Sequence, residues 1–273
     1  MDLNPRAALV HELSGDQFRV SRFTDCTEVH VPYHFDGCPL VAGMHLIREA
    51  REGLMDLERV QRAGVSLFAT KGFAATGIRE LGGAAGINSA TLYHYVGSKE
   101  DLLVSIMRAC LRELIDAGVA ALRASSEPVV QLAGLVSSHV GISAVNQLTA
   151  RVAEYEMRAL SDTTRPELQE MRDEYEALFA QVLERGQRVG VFTTQDLPMA
   201  RLAIMEMGTG VAHWYRPEGR LDLPTVQGFF VDMACRILSV DPAALDGIDY
   251  VRAPKRLPSE PDHITTADQR RLG

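Results

Sequence analysis

The stretch that decides the fold is TGIRELGGAAGINSATLYHYVGSKEDLL, residues 76–103. It predicts one helix, a turn at Gly86, and a second short helix that begins after Asn88. Glycine favours the left-handed backbone of a helix C-terminus, and asparagine caps the free N–H groups of a helix start. Ser98 then predicts the capped start of a long helix that runs to about Arg123. This layout is typical of a helix-turn-helix, whose second helix lies in the DNA major groove.

The face that the second helix offers to DNA is predicted to be small and polar. Its buried side would hold Leu92 and either Tyr95 or Val96. The N-terminal half of such a helix reaches base edges and phosphates. Thr76 is expected to cap the first helix with its hydroxyl group. The residues predicted to contact DNA are Thr76, Arg79, Asn88, Ser89, Ala90, Thr91, Tyr93, His94 and Lys99.

Lys99 occupies the first turn of the long helix, where a positive charge opposes the helix dipole. A phosphate group at that N-terminus would use both the free N–H groups and the ammonium group. We therefore predict a phosphate contact at Lys99. The alternative is an ordinary solvated surface lysine.

Residues 60–103 resemble the DNA-binding domain of the TetR family of transcriptional regulators. They contain, in the family's order, an apolar helix with LF, a GF turn, T-x-x-x-x-L, AAG, TLYHY and SKE. Gly82 and Gly83 depart from the family pattern in mid-helix, and Val96 stands where phenylalanine is usual. Each glycine would cost the helix about 1 kcal/mol relative to alanine, so we expect a domain softer than average.

The resemblance implies an all-α protein with an N-terminal three-helix helix-turn-helix DNA-binding domain and a C-terminal helical ligand-binding and dimerisation domain. The tail is rich in proline and charge, which favours disorder. The domains predicted along the chain are an N-terminal extension, partly ordered at best (1–54), the DNA-binding domain (55–100), the effector-binding and dimerisation domain (101–240) and a disordered tail (241–273).

Charge is unevenly distributed along the 273 residues, whose formal net charge is −8. Residues 44–110 hold eight Lys/Arg and seven Asp/Glu, which leaves +1 there and −9 elsewhere. We expect the acidic remainder to face away from DNA and affinity to rest on a few contacts in a dimer, with modest salt dependence. No apolar run approaches a membrane span and the N-terminus does not resemble a signal peptide, so a cytoplasmic protein is predicted.

The C-terminal domain is predicted to be helical almost throughout, because it has start and stop signals for helices and hardly any strand alternation. Pro128 is expected in the first turn of one helix, and Pro166 begins another that Gly190 ends. Asp196 is expected to cap a further helix that has Pro198 in its first turn.

The last two predicted helices, about 196–214 and 222–239, carry more apolar side chains than one small core absorbs. Dimerisation is the simplest explanation, and the alternative is that they fill only their own domain. The resemblance implies a four-helix interface between two subunits, which would set two recognition helices about 34 Å apart. The residues predicted at this interface are Met205, Gly208, Val211, Phe229, Phe230, Met233 and Ile237.

RDEYEALFAQVLERGQRVGVF at 172–192 and VAHWYRPEG at 211–219 resemble the TetR branch that controls fatty-acid and steroid-ring degradation and responds to acyl-CoA thioesters. That resemblance implies an apolar effector cavity among the helices that follow the DNA-binding domain. Such a set of side chains is also typical of plain core. The residues placed at the cavity by helix position are Leu111, Leu114, Ile115, His139, Met157, Tyr175, Phe179 and Trp214, with Arg151 or Arg158 as an anion contact.

Cys26, His30, His34 and Cys38 recur at four-residue intervals in the N-terminal extension, and two thiolates with two imidazoles are ligands of structural zinc. The spacing argues against zinc, because Pro32 breaks a helix and the surrounding residues favour an extended segment. We therefore predict no metal and no cofactor, and an extension without a folded metal site.

Two other classes of protein compete with a DNA-binding regulator. An enzyme is not predicted, because the chain contains no nucleophile elbow, phosphate-binding loop or zinc-protease helix. A non-enzymatic helical adaptor would account for the helices but not for a small polar reading face. We expect a repressor that leaves a palindromic operator when a small molecule binds, either an acyl-CoA or another hydrophobic effector such as a drug or antibiotic. The sequence does not separate repressor from activator.

Overall fold

The computed structural model describes the backbone of residues 8–14, 17–22, 28–31 and 39–261. It describes the side chains of residues 55–261 except 242. It divides into two compact units, residues 1–60 and 61–273. The first unit contains the antiparallel sheet β1-β2-β3, in which the Cα atom of Val20 pairs with Val10 on one side and Val29 on the other. The strands are β1 (Ala8–Ser14), β2 (Gln17–Arg22) and β3 (Glu28–Val31), and helix α1 (Pro39–Lys71) runs through the boundary between the units.

The predicted helix-turn-helix consists of α2 (Ile78–Ala85) and α3 (Ser89–Val96). Gly86 ends α2 in the left-handed conformation, at φ 71° and ψ 27°. The side chain of Asn88 caps α3 by accepting a hydrogen bond from the N–H of Thr91 at 2.9 Å. Both local signals predicted from the sequence are therefore confirmed, and Leu92 is completely buried beneath α3.

Gly83 within α2 and Gly86 at its C-terminus offer a paired test of the predicted softness of this domain. A Cβ atom added at Gly83 meets nothing within 4 Å, whereas Gly86 has a φ of +71° that favours glycine. We expect Gly83→Ala to stabilise the domain by about 1 kcal/mol and Gly86→Ala to destabilise it by about 1–2 kcal/mol. Thermal unfolding followed by circular dichroism measures both changes. Shifts in the same direction would contradict this explanation.

The C-terminal domain is helical, as predicted. Its helix starts agree with the sequence signals, since Ser98 caps α4 and Asp196 caps α8 through side-chain hydrogen bonds. The helices are α4 (Lys99–Ala124), α5 (Pro128–Val145), α6 (Gln147–Tyr155), α7 (Arg165–Arg188), α8 (Leu197–Thr209), α9 (Val211–Trp214) and α10 (Leu223–Ile237), with 3-10 turns at Glu156–Ala159 and Pro242–Leu245.

Helix α5 lies at the centre of this domain and packs against α4, α7, α8 and α10. Its 18 residues contain no charged side chain and have a mean hydropathy of 1.4, so length and composition alone would allow it to cross a membrane. This corrects the expectation that no run approaches a membrane span. The other helices of the domain cover α5, so that 83% of it is buried, as is usual for a core helix.

The chain beyond α10 corrects another expectation. Residues 241–273 were predicted to be disordered, yet Leu257, Ser259 and Glu260 are buried. Composition misled here because the segment has few apolar side chains, while its backbone is bound by polar side chains of the helices. The correction applies to residues 241–261, and residues 262–273 lie outside the described part of the chain.

Candidate DNA-binding and effector sites

Helix α3 presents a small polar face outward, opposite the buried Leu92. Ala90, Tyr93 and His94 are exposed, with 48% of Tyr93 accessible. Ser89 and Thr91 are partly exposed, as a shallow reading face requires. The exposed Arg79 lies in the first turn of α2, which packs against α3. The structure therefore leaves most of the residues predicted to contact DNA accessible on these two helices.

Thr76 does not cap α2. Its side chain is buried and its hydroxyl donates a hydrogen bond to the carbonyl oxygen of Gly72 at 2.8 Å. The cap position is taken by Gly77, which has no side chain to offer. Thr76 thus stabilises the α1–α2 turn, and its buried hydroxyl is not available to DNA in this conformation.

Lys99 has a partner inside the protein that the sequence did not reveal. Its Nζ donates hydrogen bonds to the carbonyl oxygens of Phe73 at 2.8 Å and Thr76 at 2.9 Å. It also lies 4.2 Å from the centre of the Phe73 ring, at cation–π distance. These contacts offset the unfavourable position of a lysine in the first turn of a helix. These internal contacts were not predicted from the sequence, and the phosphate contact at Lys99 stays a prediction.

The α1–α2 turn is also held from the C-terminal domain. The N–H of Phe73 donates a hydrogen bond to Oε1 of Glu156 at 3.2 Å, just after α6. Glu156 is buried. The backbone of Phe73 is therefore bound on its carbonyl side by α4 and on its amide side by the segment after α6.

In the C-terminal domain, a buried polar cluster joins α5, α7 and α8. Nδ1 of His139 lies 2.9 Å from the hydroxyl of Tyr175, and its Nε2 lies 3.0 Å from the carbonyl oxygen of Met205 and 3.1 Å from Oγ1 of Thr209. A carbonyl oxygen only accepts hydrogen bonds, so Nε2 is assigned the proton and Nδ1 accepts from Tyr175. Burial lowers the pKa of His139 to about 4 and raises the pKa of Tyr175.

Aromatic packing and a missing side chain shape this cluster. Phe179 meets the rings of Tyr175 and His139 edge-on, at centroid distances of 5.6 and 6.1 Å. Gly208 makes room for the imidazole, since a Cβ atom there would stand 2.3 Å from Cδ2 of His139. His139, Tyr175 and Phe179, three residues predicted for the effector site, thus lie together in one buried cluster.

The neutral state of His139 predicts a pH effect on stability. The unfolded chain binds a proton at His139 below about pH 6.5, whereas the folded chain resists protonation down to about pH 4. The neutral His139 therefore stabilises the folded state by its full amount above pH 6.5. This contribution to the free energy of unfolding, roughly 3 kcal/mol, is lost as the pH falls toward 4. We expect the free energy of unfolding of wild type to fall more steeply over this window than that of His139→Gln, measured by urea denaturation. Parallel curves would contradict this prediction.

The other predicted effector residues divide by exposure. Leu111 and Ile115 are buried, but Arg158 and Trp214 are exposed. Trp214 stacks on Phe230, with ring centroids 6.3 Å apart. Leu114, Met157 and Arg151 are half-buried, and Nε of Arg151 is buried without a hydrogen-bond partner among the described residues.

A recess opens between α4 and α7, at a place that no sequence pattern indicated. Its volume is about 640 Å³, and Ile115 is the residue it shares with the predicted effector set. Arg112, Arg123, Asp116 and Glu174 line it, so it combines both signs of charge.

The predicted dimer residues also separate into two groups. Gly208, Val211 and Phe230 are buried inside the subunit, which corrects their assignment to an intersubunit contact. Met205 and Ile237 are half-buried. Exposed apolar side chains on α8, α9 and α10, which we call the α8–α10 face, are Phe229 and Met233 of the predicted interface together with Met199, Leu202 and Trp214.

The cysteine and histidine set of the N-terminal extension is not described. Cys26, His34 and Cys38 lie outside the described residues, as does the side chain of His30. Within the described part of the chain, no group of three potential metal ligands was found.

Two family models match this chain: bacterial regulatory proteins of the tetR family over residues 61–106, and the tetracyclin repressor-like C-terminal domain over residues 125–238. The HTH-type transcriptional repressor KstR2 of Rhodococcus jostii (strain RHA1) is 30% identical over 169 residues, 59% of this chain and 80% of that protein. The TetR family transcriptional regulator PfmR of Thermus thermophilus superposes with a TM-score of 0.60 at 30% identity, covering 65% of this chain and 97% of that chain. AibR in complex with isovaleryl coenzyme A and operator DNA shares the fold, with a TM-score of 0.58 at 19% identity, covering 65% of this chain and 97% of that chain.

Proposed function

Because the chain belongs to the TetR family of bacterial regulatory proteins, we propose that it is a repressor whose homodimer binds a palindromic operator in the cytoplasm and releases it when a small molecule binds. The observation that carries this proposal is the capped helix α3 with its exposed polar face. A helix of this kind, presented at the protein surface, has the geometry that enters the major groove. We propose no catalytic role, since the relatives are transcriptional regulators.

The DNA contacts we propose are those of α2 and α3. Tyr93, His94 and Thr91 would reach base edges, while Arg79 and the N-terminus of α3 near Ser89 would position the phosphates. Asn88 and Ala90 complete the predicted set, Asn88 as the cap and Ala90 as a small side chain that permits close approach. We assign Lys99 and Thr76 to the support of this surface, because both are engaged within the α1–α2 turn.

The homodimer would form through the α8–α10 face. Its exposed apolar side chains on neighbouring helices support an interface that excludes water, as in homodimers with apolar cores. A twofold axis there would relate two α3 helices and thereby require two half-sites in the operator.

The effector we propose is an acyl-CoA thioester, bound in the C-terminal domain. The KstR2 relative supports a repressor of this branch, and the fold shared with AibR is compatible with an acyl-CoA and operator DNA on one protein. The cluster of His139, Tyr175 and Phe179 is buried, so an acyl chain would have to part α5, α7 and α8 and take over, at its thioester carbonyl, the hydrogen bond that Tyr175 donates to His139. An effector must bind the two arrangements of the DNA-binding domains unequally to change operator affinity.

Selection from random double-stranded DNA tests the DNA-binding part of this proposal. We expect an enriched palindrome whose half-sites are about one helical turn apart, and a footprint over both halves. Enrichment of no sequence would contradict DNA recognition and favour the helical adaptor, whereas enrichment of single half-sites would contradict only the palindromic, dimeric mode of binding.

Mobility-shift titration on that palindrome tests the effector. Isovaleryl-CoA, octanoyl-CoA and a steroid-acid CoA thioester would be compared with free coenzyme A and the free acids. Release by thioesters and not by coenzyme A supports the class, and a response to none of them would exclude it. Release by an unrelated apolar drug would favour the alternative effector class.

A further inference from the structure

Residues 250–261, which we call the C-terminal strap, lie beyond the part of the chain that the family models match. The strap contacts helices of both domains. Nζ of Lys255 is 3.5 Å from Oε2 of Glu113 on α4, and the carbonyl oxygen of Pro258 accepts a hydrogen bond from Nε of Arg62 on α1 at 2.7 Å. The strap therefore touches a helix of the DNA-binding domain as well as helices of the C-terminal domain.

Two buried amide side chains bind the backbone of the strap. Asn146, at the end of α5, donates through Nδ2 to the carbonyl oxygen of Lys255 at 2.9 Å and accepts from the N–H of Leu257 at 2.7 Å. Gln227 of α10 donates through Nε2 to the carbonyl oxygens of Ser137 at 2.9 Å and Arg252 at 3.1 Å. Buried amides with such partners define one position for the strap, because leaving them unpaired would be costly.

Glu260 of the strap completes the start of α6. Its carboxylate accepts hydrogen bonds from the N–H groups of Leu148 and Thr149, both at 3.0 Å, and from the hydroxyl of Thr149 at 2.7 Å. The cap residue of α6, Asn146, provides no side-chain cap of its own, since its amide is bound to the strap. A carboxylate at this end of a helix also meets the positive pole of the helix dipole.

The opposite end of α6 leads to the contact with the DNA-binding domain. Glu156 follows α6 directly and accepts the N–H of Phe73 in the α1–α2 turn at 3.2 Å. The same turn receives Lys99 from α4. A short helix fixed at one end by Glu260 thus carries, at its other end, a side chain that fixes the turn before the helix-turn-helix.

We propose that the C-terminal strap is a coupling element, which holds α6 in the position at which Glu156 binds the α1–α2 turn and so sets the placement of the DNA-binding domain on the effector domain. The regulatory meaning of this coupling rests on the proposed function. The mechanical link itself does not, and it is tested without DNA or effector.

Hydrogen exchange of full-length Glu260→Ala, followed by mass spectrometry, is the experiment. We expect exchange to accelerate by about tenfold or more in peptides covering 147–152, because hydrogen bonds to a charged group are lost. Exchange should also accelerate in peptides covering 72–77, and it should stay unchanged in peptides covering 226–237. Asp246→Ala is the matched control, since Asp246 is an exposed acidic residue outside the strap and the variant should leave all three regions unchanged.

Three results decide the matter. Acceleration in both 147–152 and 72–77 supports the coupling. Acceleration confined to 147–152 would show that Glu260 is only a local cap of α6. No acceleration in either region would show that the strap does not hold α6, and would overturn the proposal. If Glu260→Ala fails to fold by circular dichroism, Glu260→Gln, which keeps the shape and removes the charge, is expected to accelerate the same two regions to a smaller extent. If the wild-type protein selected no DNA, the proposed function would be refuted, but the exchange result on the mechanical link would still stand.

Discussion

Phe229→Glu is expected to convert the proposed dimer into monomers and to weaken operator binding by about a thousandfold or more, toward the level of non-specific binding. Phe229 lies on α10 with 56% of its side chain exposed, within the α8–α10 face. A carboxylate there would have to lose its water in the dimer without a compensating positive charge, which is costly. A monomer would then bind one half-site only. Sedimentation velocity measures the assembly state, and fluorescence anisotropy with the selected operator measures affinity.

Val189→Glu is the matched control for this substitution. Val189 is 61% exposed at the end of α7, outside the α8–α10 face, so the same charge is added to an equally exposed apolar position. It should leave the dimer and operator affinity unchanged. If Phe229→Glu remained dimeric with normal affinity, the interface would have to lie elsewhere on the subunit.

Tyr93→Ala is expected to weaken operator binding by about 30-fold to 10⁴-fold, at unchanged folding and dimerisation. Tyr93 is the largest exposed side chain on α3, and a good base contact contributes about 1–3 kcal/mol at each half-site. Two copies in a dimer double that loss. Because Tyr93 carries no charge, the slope of affinity against salt concentration should stay the same while affinity falls. Anisotropy titrations at several salt concentrations separate the two quantities.

Val191→Ala provides the comparison, because Val191 is also an exposed large side chain, at 41%, but follows α7 in the C-terminal domain. It should bind the operator as wild type does. Equal affinity of the Tyr93→Ala variant and wild type would remove α3 from base recognition and would require another surface to enter the groove.

The parts of the fold that were predicted correctly depend on residues close together in the sequence. Gly86, Asn88, Ser98 and Asp196 set helix ends through backbone conformation or through hydrogen bonds within three residues, so their effect is visible in a short stretch. The family and the all-α class of both helical domains are confirmed for the same reason, since the motifs of residues 60–103 are local.

Apart from the cap wrongly assigned to Thr76, which binds Gly72 nearby, the main errors concern partners that are distant in the sequence. Lys99 binds carbonyl groups 23 and 26 residues away, and Glu260 binds α6 across 111 and 112 residues. Gly208 was assigned to a dimer contact, but it packs closely against His139 in the same subunit. A pattern of residue types indicates that a side chain needs a contact, but it does not identify the partner. The partner is known only from the folded chain.

Helix α5 has a consequence for how this protein is made. During synthesis it leaves the ribosome before α7, α8 and α10, the helices that later cover it, so the nascent chain displays an uncharged apolar segment of 18 residues for that interval. Chains that end before α10 would display it permanently and become substrates for chaperones and proteases. Residues 1–60 contain none of these covering helices. Shortened versions for recombinant production should therefore be cut from the N-terminal side.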